Sequence, residues 1–518
     1  MRSVDEVLAA FCADDIRAAE LPVLARLPEG GLMDRAAAAL NSVCARILRE
    51  SSGGVYGRRV VMLVGSGNNG GDALLAGAHL QRGGAQVTAA MVGGHAYERG
   101  LRAFVGAGGR VIDAREPAGE DRISRLLERA ELVLDGIVGI SGRPGLSGVS
   151  KRLAAAVPRA ATVVAVDMPS GLDPDTGEIH GECLAADVTV SFGTLKPCLL
   201  LPPAAHVAGR LVHVPVGIDE GLPARPYVRR LTDAGVAARW PVPNHAGHKY
   251  TRGVLGVVAG SDAYPGAAVL AVLGAQRAGV GIVRFIGPRH VTDHVLRAVP
   301  EAVPGKGRVQ AWLLGSGVES DTDQDEAIDQ ALASGLPCVV DAGALTACVR
   351  QRSGGVRAAE ADTVLLTPHA GEVSRMLGQL GTPVPRSEVE ARPAFYATLL
   401  AKQVDATVLL KGPTTLVASP EGWLSSQNDG PSWLATAGTG DVLAGIAGAL
   451  MAQGVDAMDA GAMAAFVHGR AGARASAGGP IAAGDVAAAT PAVIAGLLTG
   501  RSSGTDGWMR GHRFISLG

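Results

Sequence analysis

Arg59-Val60-Val61-Met62-Leu63-Val64-Gly65-Ser66-Gly67-Asn68-Asn69-Gly70-Gly71-Asp72 carries the reading that decides the fold. A β-branched run enters a glycine loop and an Ala/Leu-rich segment of helical length follows, which predicts strand, turn and helix in succession. The alternation recurs outward from there. Strands are expected at Arg59–Val64, Gln86–Met91, Leu132–Asp135, Thr162–Asp167, Val188–Phe192 and Leu211–Val214. Helices are expected over Asp14–Leu27, Leu32–Arg49, Asp72–Arg82 and Val149–Ala156. Four prolines interrupt Gly217–Pro243, as an interdomain connection would. A second series then runs through Gly253–Val258, Ile282–Ile286, Ala311–Leu314, Cys338–Val340, Thr363–Leu366 and Thr407–Leu410. It closes with helices over Asp441–Ala452, Ala457–Ala475 and Ala483–Leu498. The expected layout is two α/β domains, residues 1–222 and 223–505, with mostly parallel sheets and a loosely held Gly/Ser-rich end over 501–518, its tail counted from 506 to 518.

Composition agrees with two buried cores. The chain has 518 residues, more than one core usually supports, with 47% apolar and 19% charged residues. Aromatics are only 3%, so packing falls to Ala, Val and Leu. A net charge of −2 leaves no electrostatic footprint for nucleic acid. Arg58-Arg59 and Arg229-Arg230 read as short solvated faces. No run approaches the roughly 20 apolar residues of a membrane span, and Met1–Ala10 has no signal core, so no membrane partner and a cytoplasmic location are expected. Cys12, Cys44, Cys183, Cys198, Cys338 and Cys348 form no C-x-x-C pair and read as reduced, mostly buried thiols.

The loop at Gly65–Asp72 formally contains G-x-G-x-x-G in the strand-to-helix context of a dinucleotide fingerprint. Two features argue against an ordinary dehydrogenase. The next strand ends in Val92-Gly93-Gly94 without the acid that grips a ribose, and Asn68, Asn69 and Asp72 exceed what a pyrophosphate turn needs. Further oxygen-bearing groups end later strands. Asp135 leads into Gly136-Ile137-Val138-Gly139-Ile140-Ser141-Gly142-Arg143-Pro144-Gly145, and Asp167 leads into Met168-Pro169-Ser170. Strand carboxyl ends converge on the ligand crevice of an open α/β sheet, which would bring Asn69, Asp135, Asp167 and Ser170 to one place. For each loop alone, a Gly-rich turn with a capping Asp is the competing reading.

The second series has its own motif, Ala435-Thr436-Ala437-Gly438-Thr439-Gly440-Asp441. Two glycines at a helix start expose backbone N–H groups and the positive end of the dipole to phosphate. An aspartate there would be repelled by phosphate, so its fitting task is to hold or deprotonate the hydroxyl that meets the phosphoryl group. Lys411 follows a buried strand in Lys411-Gly412-Pro413-Thr414-Thr415, where a cation can hold nucleotide phosphates. His369 stands at a strand end in Thr367-Pro368-His369-Ala370-Gly371-Glu372, with no spacing that would make a zinc site.

V-G-S-G-N-N-G-G-D, D-G-I-V-G-I-S-G-R-P-G, V-D-M-P-S-G-L-D-P-D-T-G and S-F-G-T-L-K-P resemble the NAD(P)H-hydrate epimerase family, over residues 10–217. The resemblance implies a Rossmann-like three-layer α/β/α domain. It implies that Asn68, Asn69, Gly70, Gly71, Asp72, the loop Gly139 to Gly145 and Asp167 contact the hydrated nucleotide. It also implies a potassium ion (K+) among Asn69, Asp135 and Ser170, and it leaves Asp167 as the acid/base candidate. N-H-A-G-H-K-Y-T-R-G, V-V-A-G-S-D-A-Y-P-G-A-A, V-V-D-A-G-A-L-T, L-L-T-P-H-A-G-E, L-L-K-G-P-T-T and A-T-A-G-T-G-D-V-L-A-G resemble the NAD(P)H-hydrate dehydratase family, over residues 244–450. That likeness implies a ribokinase-like fold in which Ala267, Gly317, His369 and Asp441 meet the S-hydrate. It also implies that Lys411, Gly412, Pro413, Thr414, Thr415 and Gly440 hold ADP with magnesium (Mg2+).

The chain departs from the family patterns at several points. Ala73 stands for a Gly, Gly136-Ile137-Val138 for an Ala-Leu-Phe type run, Gly315–Glu319 for a G-P-G-L-G loop and Gly343 for an Asp. The expectation is repair of hydrated NADH and NADPH by epimerisation and ADP-dependent dehydration, in a homo-oligomer. The rivals are a vitamin-pathway kinase with a nucleotide-binding N-terminal domain, and a non-catalytic binding module.

Overall fold

In the computed structural model of the chain the described residues are 6–319, 322–353, 360–500 and 515–516. They fold as two compact units, one built on residues 9–228 with 515–516, the other on residues 6–8 with 229–500.

The first unit holds an eight-stranded sheet. Its order runs Ile515–Ser516, Arg210–Val214, Val188–Phe192, Thr162–Val166, Leu132–Gly136, Arg59–Val64, Gln86–Met91 and Arg110–Asp113. Every pairing is parallel. Strand alternation divides the apolar residues between two layers. Val60, Met62 and Val64 join one buried cluster, while Val61 and Leu63 join the other. Strand order reverses between Arg59–Val64 and Leu132–Gly136, which opens a crevice at their carboxyl ends. Of the end expected to be a loose tail, all but Ile515–Ser516 lies outside the described residues, and that pair forms the edge strand.

The helix after the glycine loop begins at Asn68 rather than Asp72 and ends at Arg82. Gly70 and Gly71 are poor helix formers, yet close packing requires them in its first turn. A Cβ at Gly70 would lie 2.2 Å from the Gly65 carbonyl oxygen, and one at Gly71 would lie 3.0 Å from the Tyr97 ring. Two departures from the family pattern form a matched pair. A Cβ at Gly136 would meet the Ala73 methyl at 2.7 Å, so the Gly here makes room for the Ala there. Gly136→Ala alone is expected to overpack the junction by about 1–3 kcal/mol, and Ala73→Gly added to it should restore the melting temperature. A Tm for the double variant no higher than for Gly136→Ala would refute the pairing.

The second unit's sheet runs from Val7–Ala10 through Val228–Leu231, Leu424–Gln427, Thr415–Ala418, Thr407–Leu410, Val364–Leu366, Cys338–Val340, Ala311–Leu314, Val254–Val258 and Ile282–Ile286 to Val303–Pro304. From Thr407–Leu410 onward it is parallel, with the order reversing between Ala311–Leu314 and Val254–Val258. Thr415–Ala418 and Leu424–Gln427 add antiparallel strands that were not expected. Part of the expected connection over Gly217–Pro243 is regular structure. It contains the strand Val228–Leu231 and the helix Asp233–Arg239, which the Thr232 hydroxyl caps by accepting from Gly235 N at 3.2 Å.

Arg230 is accordingly not part of a solvated face. It is 8% exposed and donates to Ser426 O at 3.2 Å and Ser426 Oγ at 2.9 Å, and burial lowers its pKa to about 10. All six thiols are free, four of them buried. No helix among the described residues is long and apolar enough to cross a membrane.

Candidate active sites

In the first unit the crevice is a cavity of about 880 Å3. The helix Ala13–Leu24, the Gly65–Asp72 turn, the Ile137–Gly142 loop, Asp167, Phe192 and Lys196 line it. Of the expected contacts it gathers Asn68, Asn69, Asp72, Gly139, Ile140, Ser141, Gly142 and Asp167. Gly70 and Gly71 pack behind the wall, while Arg143 and Pro144 are exposed beyond the loop. Gly145 forms a turn at φ +84°, where a Cβ would lie 2.5 Å from His180 O.

The strand expected to reach Asp167 stops at Val166, because Asp167 adopts a left-handed backbone with φ +69°. That conformation is unfavourable for a side chain other than Asn or Asp, and such strain gathers at functional sites. The turn aims the carboxylate at a buried cation. Lys196 is 1% exposed and donates to Asp167 Oδ1, and to Ser191 Oγ, Phe192 O and Thr194 O at 3.1 Å each. Phe192 N also donates to Asp167 Oδ1, at 3.1 Å.

Two other carboxyls face the same space. Burial raises Glu20, with the Asp167 charge adding to it. Asp72 stands well above the carboxylate range, first through burial and then through the charges of Asp167 and Glu20. Its Oδ1 is buried with no hydrogen-bond partner among the described residues, the signature of a group prepared for a ligand. Lys196, Glu20, Arg17 and Tyr97 were not anticipated as site residues. Only Lys196 left a sequence signal, as a scarce lysine inside S-F-G-T-L-K-P.

Asp135 and Ser170 lie beneath the cavity wall, both 0% exposed. Ser170 donates to Asp135 through N at 2.8 Å and Oγ at 2.5 Å, while its Oγ accepts from Val138 N at 2.9 Å. Desolvation nonetheless raises Asp135 to about 6, and no cation among the described residues offsets it. Asn69 donates to Val166 O at 2.6 Å, and a Cβ at Gly139 would sit 2.2 Å from its Oδ1. One buried carboxylate among amide, hydroxyl and carbonyl oxygens is a donor set suited to a hard cation of low charge.

In the second unit Gly438, at φ +88°, starts the helix Thr439–Ala452. A Cβ there would lie 2.4 Å from Leu270 Cδ1. Asp441 sits in the first turn, raised to about 7 by burial first and the Asp341 charge second. Lys411 Nζ lies 3.6 Å from where a Gly440 Cβ would be, donates to Asp341 Oδ1 at 2.8 Å, and approaches Glu372 at 3.9 Å. A β-bridge joins His369 to Lys411. His369 also caps its helix, its Nδ1 accepting from Gly371 N at 3.0 Å and Glu372 N at 3.2 Å, so it has a structural task as well.

Gly317, at φ +67°, abuts Ala267, whose methyl would be 2.5 Å from an added Cβ. At Gly343 a Cβ would lie 2.3 Å from Val318 O, so the backbone there leaves no room for a side chain. Of the expected nucleotide segment, Thr414 is buried, Thr415 starts a strand, and Gly412 and Pro413 are exposed in the turn. The carboxylate Asp341, with Ser316 and Thr367 beside it, had not been marked as part of a site.

These two crevices, one a polar cavity at a glycine turn and the other a Gly-Asp helix start beside a lysine, define a two-headed α/β enzyme. The models for "YjeF-related protein N-terminus" and "NAD(P)H-hydrate dehydratase" match residues 29–198 and 255–487. The bifunctional NAD(P)H-hydrate repair enzyme Nnr of Mycobacterium tuberculosis is 43% identical over 457 residues, covering 87% of this chain and 91% of the relative. That of Mycobacterium leprae is 42% identical over 501 residues, covering 93% and 97%. A crystal structure of the ADP/ATP-dependent NAD(P)H-hydrate dehydratase from Bacillus subtilis, co-crystallised with ATP and Mg2+, is 30% identical. It covers 51% of this chain and 97% of that one, with a TM-score of 0.47. The chain belongs to the family of bifunctional NAD(P)H-hydrate repair enzymes.

Proposed function

We propose that the unit built on residues 9–228 interconverts the R and S hydrates of NADH and NADPH. The unit built on residues 229–500 then dehydrates the S form, converting ADP to AMP and phosphate. The observation that carries this reading is that 43% identity to a bifunctional repair enzyme spans both units.

The hydrated carbon bears a hydroxyl and adjoins the ring nitrogen, so inversion requires opening at that carbon and reclosure on the other face. A proton must leave and return to the hydroxyl oxygen. Asp167 is the fitting acid/base, anchored by Lys196 within the cavity. Asn68, Asn69, Asp72 and the Gly139–Gly142 backbone orient the nucleotide. Asn69, Asp135 and Ser170 would hold K+, which supplies charge to offset the buried carboxylate.

In the other unit Asp441 takes the hydroxyl proton as the terminal phosphoryl group of ADP is transferred to that oxygen. Loss of phosphate, with loss of a proton from the neighbouring ring carbon, restores the double bond. Backbone groups at Gly438–Gly440 and the Lys411 ammonium stabilise the phosphates. No cluster of three or more His, Cys, Asp or Glu side chains suited to a metal occurs among the described residues. Mg2+ would therefore enter on the nucleotide, where it neutralises phosphate charge.

Product analysis tests this half. With the S-hydrate and ADP, AMP and reduced nicotinamide should appear in equal amounts. A stable phosphorylated product would support the kinase rival instead.

A further inference from the structure

We propose that Asp341 is the positioning residue of the dehydratase site, acting through Lys411 to set Asp441 as the acceptor of the substrate's hydroxyl proton. This rests on the dehydratase reading above and adds a residue to it.

Asp341 follows the strand Cys338–Val340 and is 3% exposed. Three donors from the ends of three other strands converge on its carboxylate. Ser316 Oγ lies 3.2 Å from Oδ2, after Ala311–Leu314. Thr367 Oγ1 lies 2.9 Å from Oδ1, after Val364–Leu366. Lys411 Nζ lies 2.8 Å from Oδ1, after Thr407–Leu410. A carboxylate that ties four strand ends together in a parallel sheet has its orientation fixed by the fold.

Lys411 Nζ, held by Asp341, also lies 3.6 Å from where a Gly440 Cβ would be, so this cation stands at the helix start that carries Asp441. Lys411 donates to Asp341 and lies within 3.9 Å of Glu372, so its charge is divided before it reaches Asp441. The charged and titratable groups acting on Asp441 are Asp341 and Lys411. Burial first and the Asp341 charge second outweigh the Lys411 cation, and Asp441 rises to about 7. A carboxylate at its ordinary value would be a weak proton acceptor; near neutrality it is matched to the task.

The test uses the full chain, assayed for ADP-driven dehydration of the S-hydrate from pH 5 to 9. Wild type is compared with Asp341→Asn and Asp341→Glu, with epimerisation by the other unit as a control for folding. In Asp341→Asn the repelling charge is gone and Lys411 is released toward Asp441. The acid limb of kcat/KM should therefore move down by about one pH unit or more. Asp341→Glu should return it toward wild type. An acid limb unmoved in an Asp341→Asn protein that dehydrates would overturn the role, since a merely structural residue would lower the rate without moving the profile. If Asp341→Asn does not fold, Lys411→Met serves: losing the cation that Asp341 holds at the helix start should move the limb upward, and an unmoved limb overturns the proposal. A wild type that restores no NADH with ADP overturns the dehydratase reading itself, a result distinct from either.

Discussion

Asp441→Ala should lower the rate of dehydration by about 10²- to 10⁴-fold while leaving epimerisation untouched. The range is that of a positioned proton acceptor removed from a transition state. The backbone groups at Gly438–Gly440 and the Lys411 ammonium remain, so ADP affinity should hold or increase, because a carboxylate facing the phosphates has gone. The loss should therefore appear in kcat rather than in KM for ADP. Wild-type kcat/KM should rise with pH through about 7 as Asp441 ionises, and the residual activity of Asp441→Ala should lack that limb. Steady-state rates over a pH series would check both. A large rise in KM for ADP at unchanged kcat would assign Asp441 to nucleotide binding instead.

Asp167→Asn should have two separable effects. Epimerisation should fall by about 10²- to 10⁴-fold with the acid/base lost. The first unit should also lose about 3–5 kcal/mol of stability, because Lys196 is 1% exposed and its remaining partners are neutral oxygens. Adding Lys196→Met removes the uncompensated cation, so the double variant should recover most of the melting temperature and none of the activity. Denaturant unfolding and an epimerisation assay on the same samples would separate the two. Recovery of activity along with stability would mean that Asp167 acts only through Lys196.

What the sequence disclosed depended on the range of each interaction. Strands such as Arg59–Val64 and Cys338–Val340 were legible because parallel strands buried on both faces read as near-continuous apolar runs. Leu424–Gln427 was not, since Ser425, Ser426 and Gln427 are polar although fully buried in the sheet. Val228–Leu231 was hidden by prolines and by Arg230, whose burial depends on Ser426 far along the chain. Strand-end residues such as Asp135, Asp167 and Lys411 could be read because topology sends them to the crevice. Lys196 beside Asp167 and Asp341 beside Lys411 could not, because those contacts exist only once the sheet has formed. The early helix start at Asn68 was masked by Gly70, where packing against the Gly65 carbonyl overrides helix propensity.

The central claim is that two sites on one chain act in sequence on one damaged cofactor. Absorbance recovery at the reduced-nicotinamide band tests it most directly, with a mixed R and S hydrate of NADH, ADP, Mg2+ and K+. Wild type should recover the full signal, Asp441→Ala should recover almost none over the same interval, and Asp167→Ala should recover only the S fraction quickly. No recovery by wild type with either ADP or ATP would contradict the account.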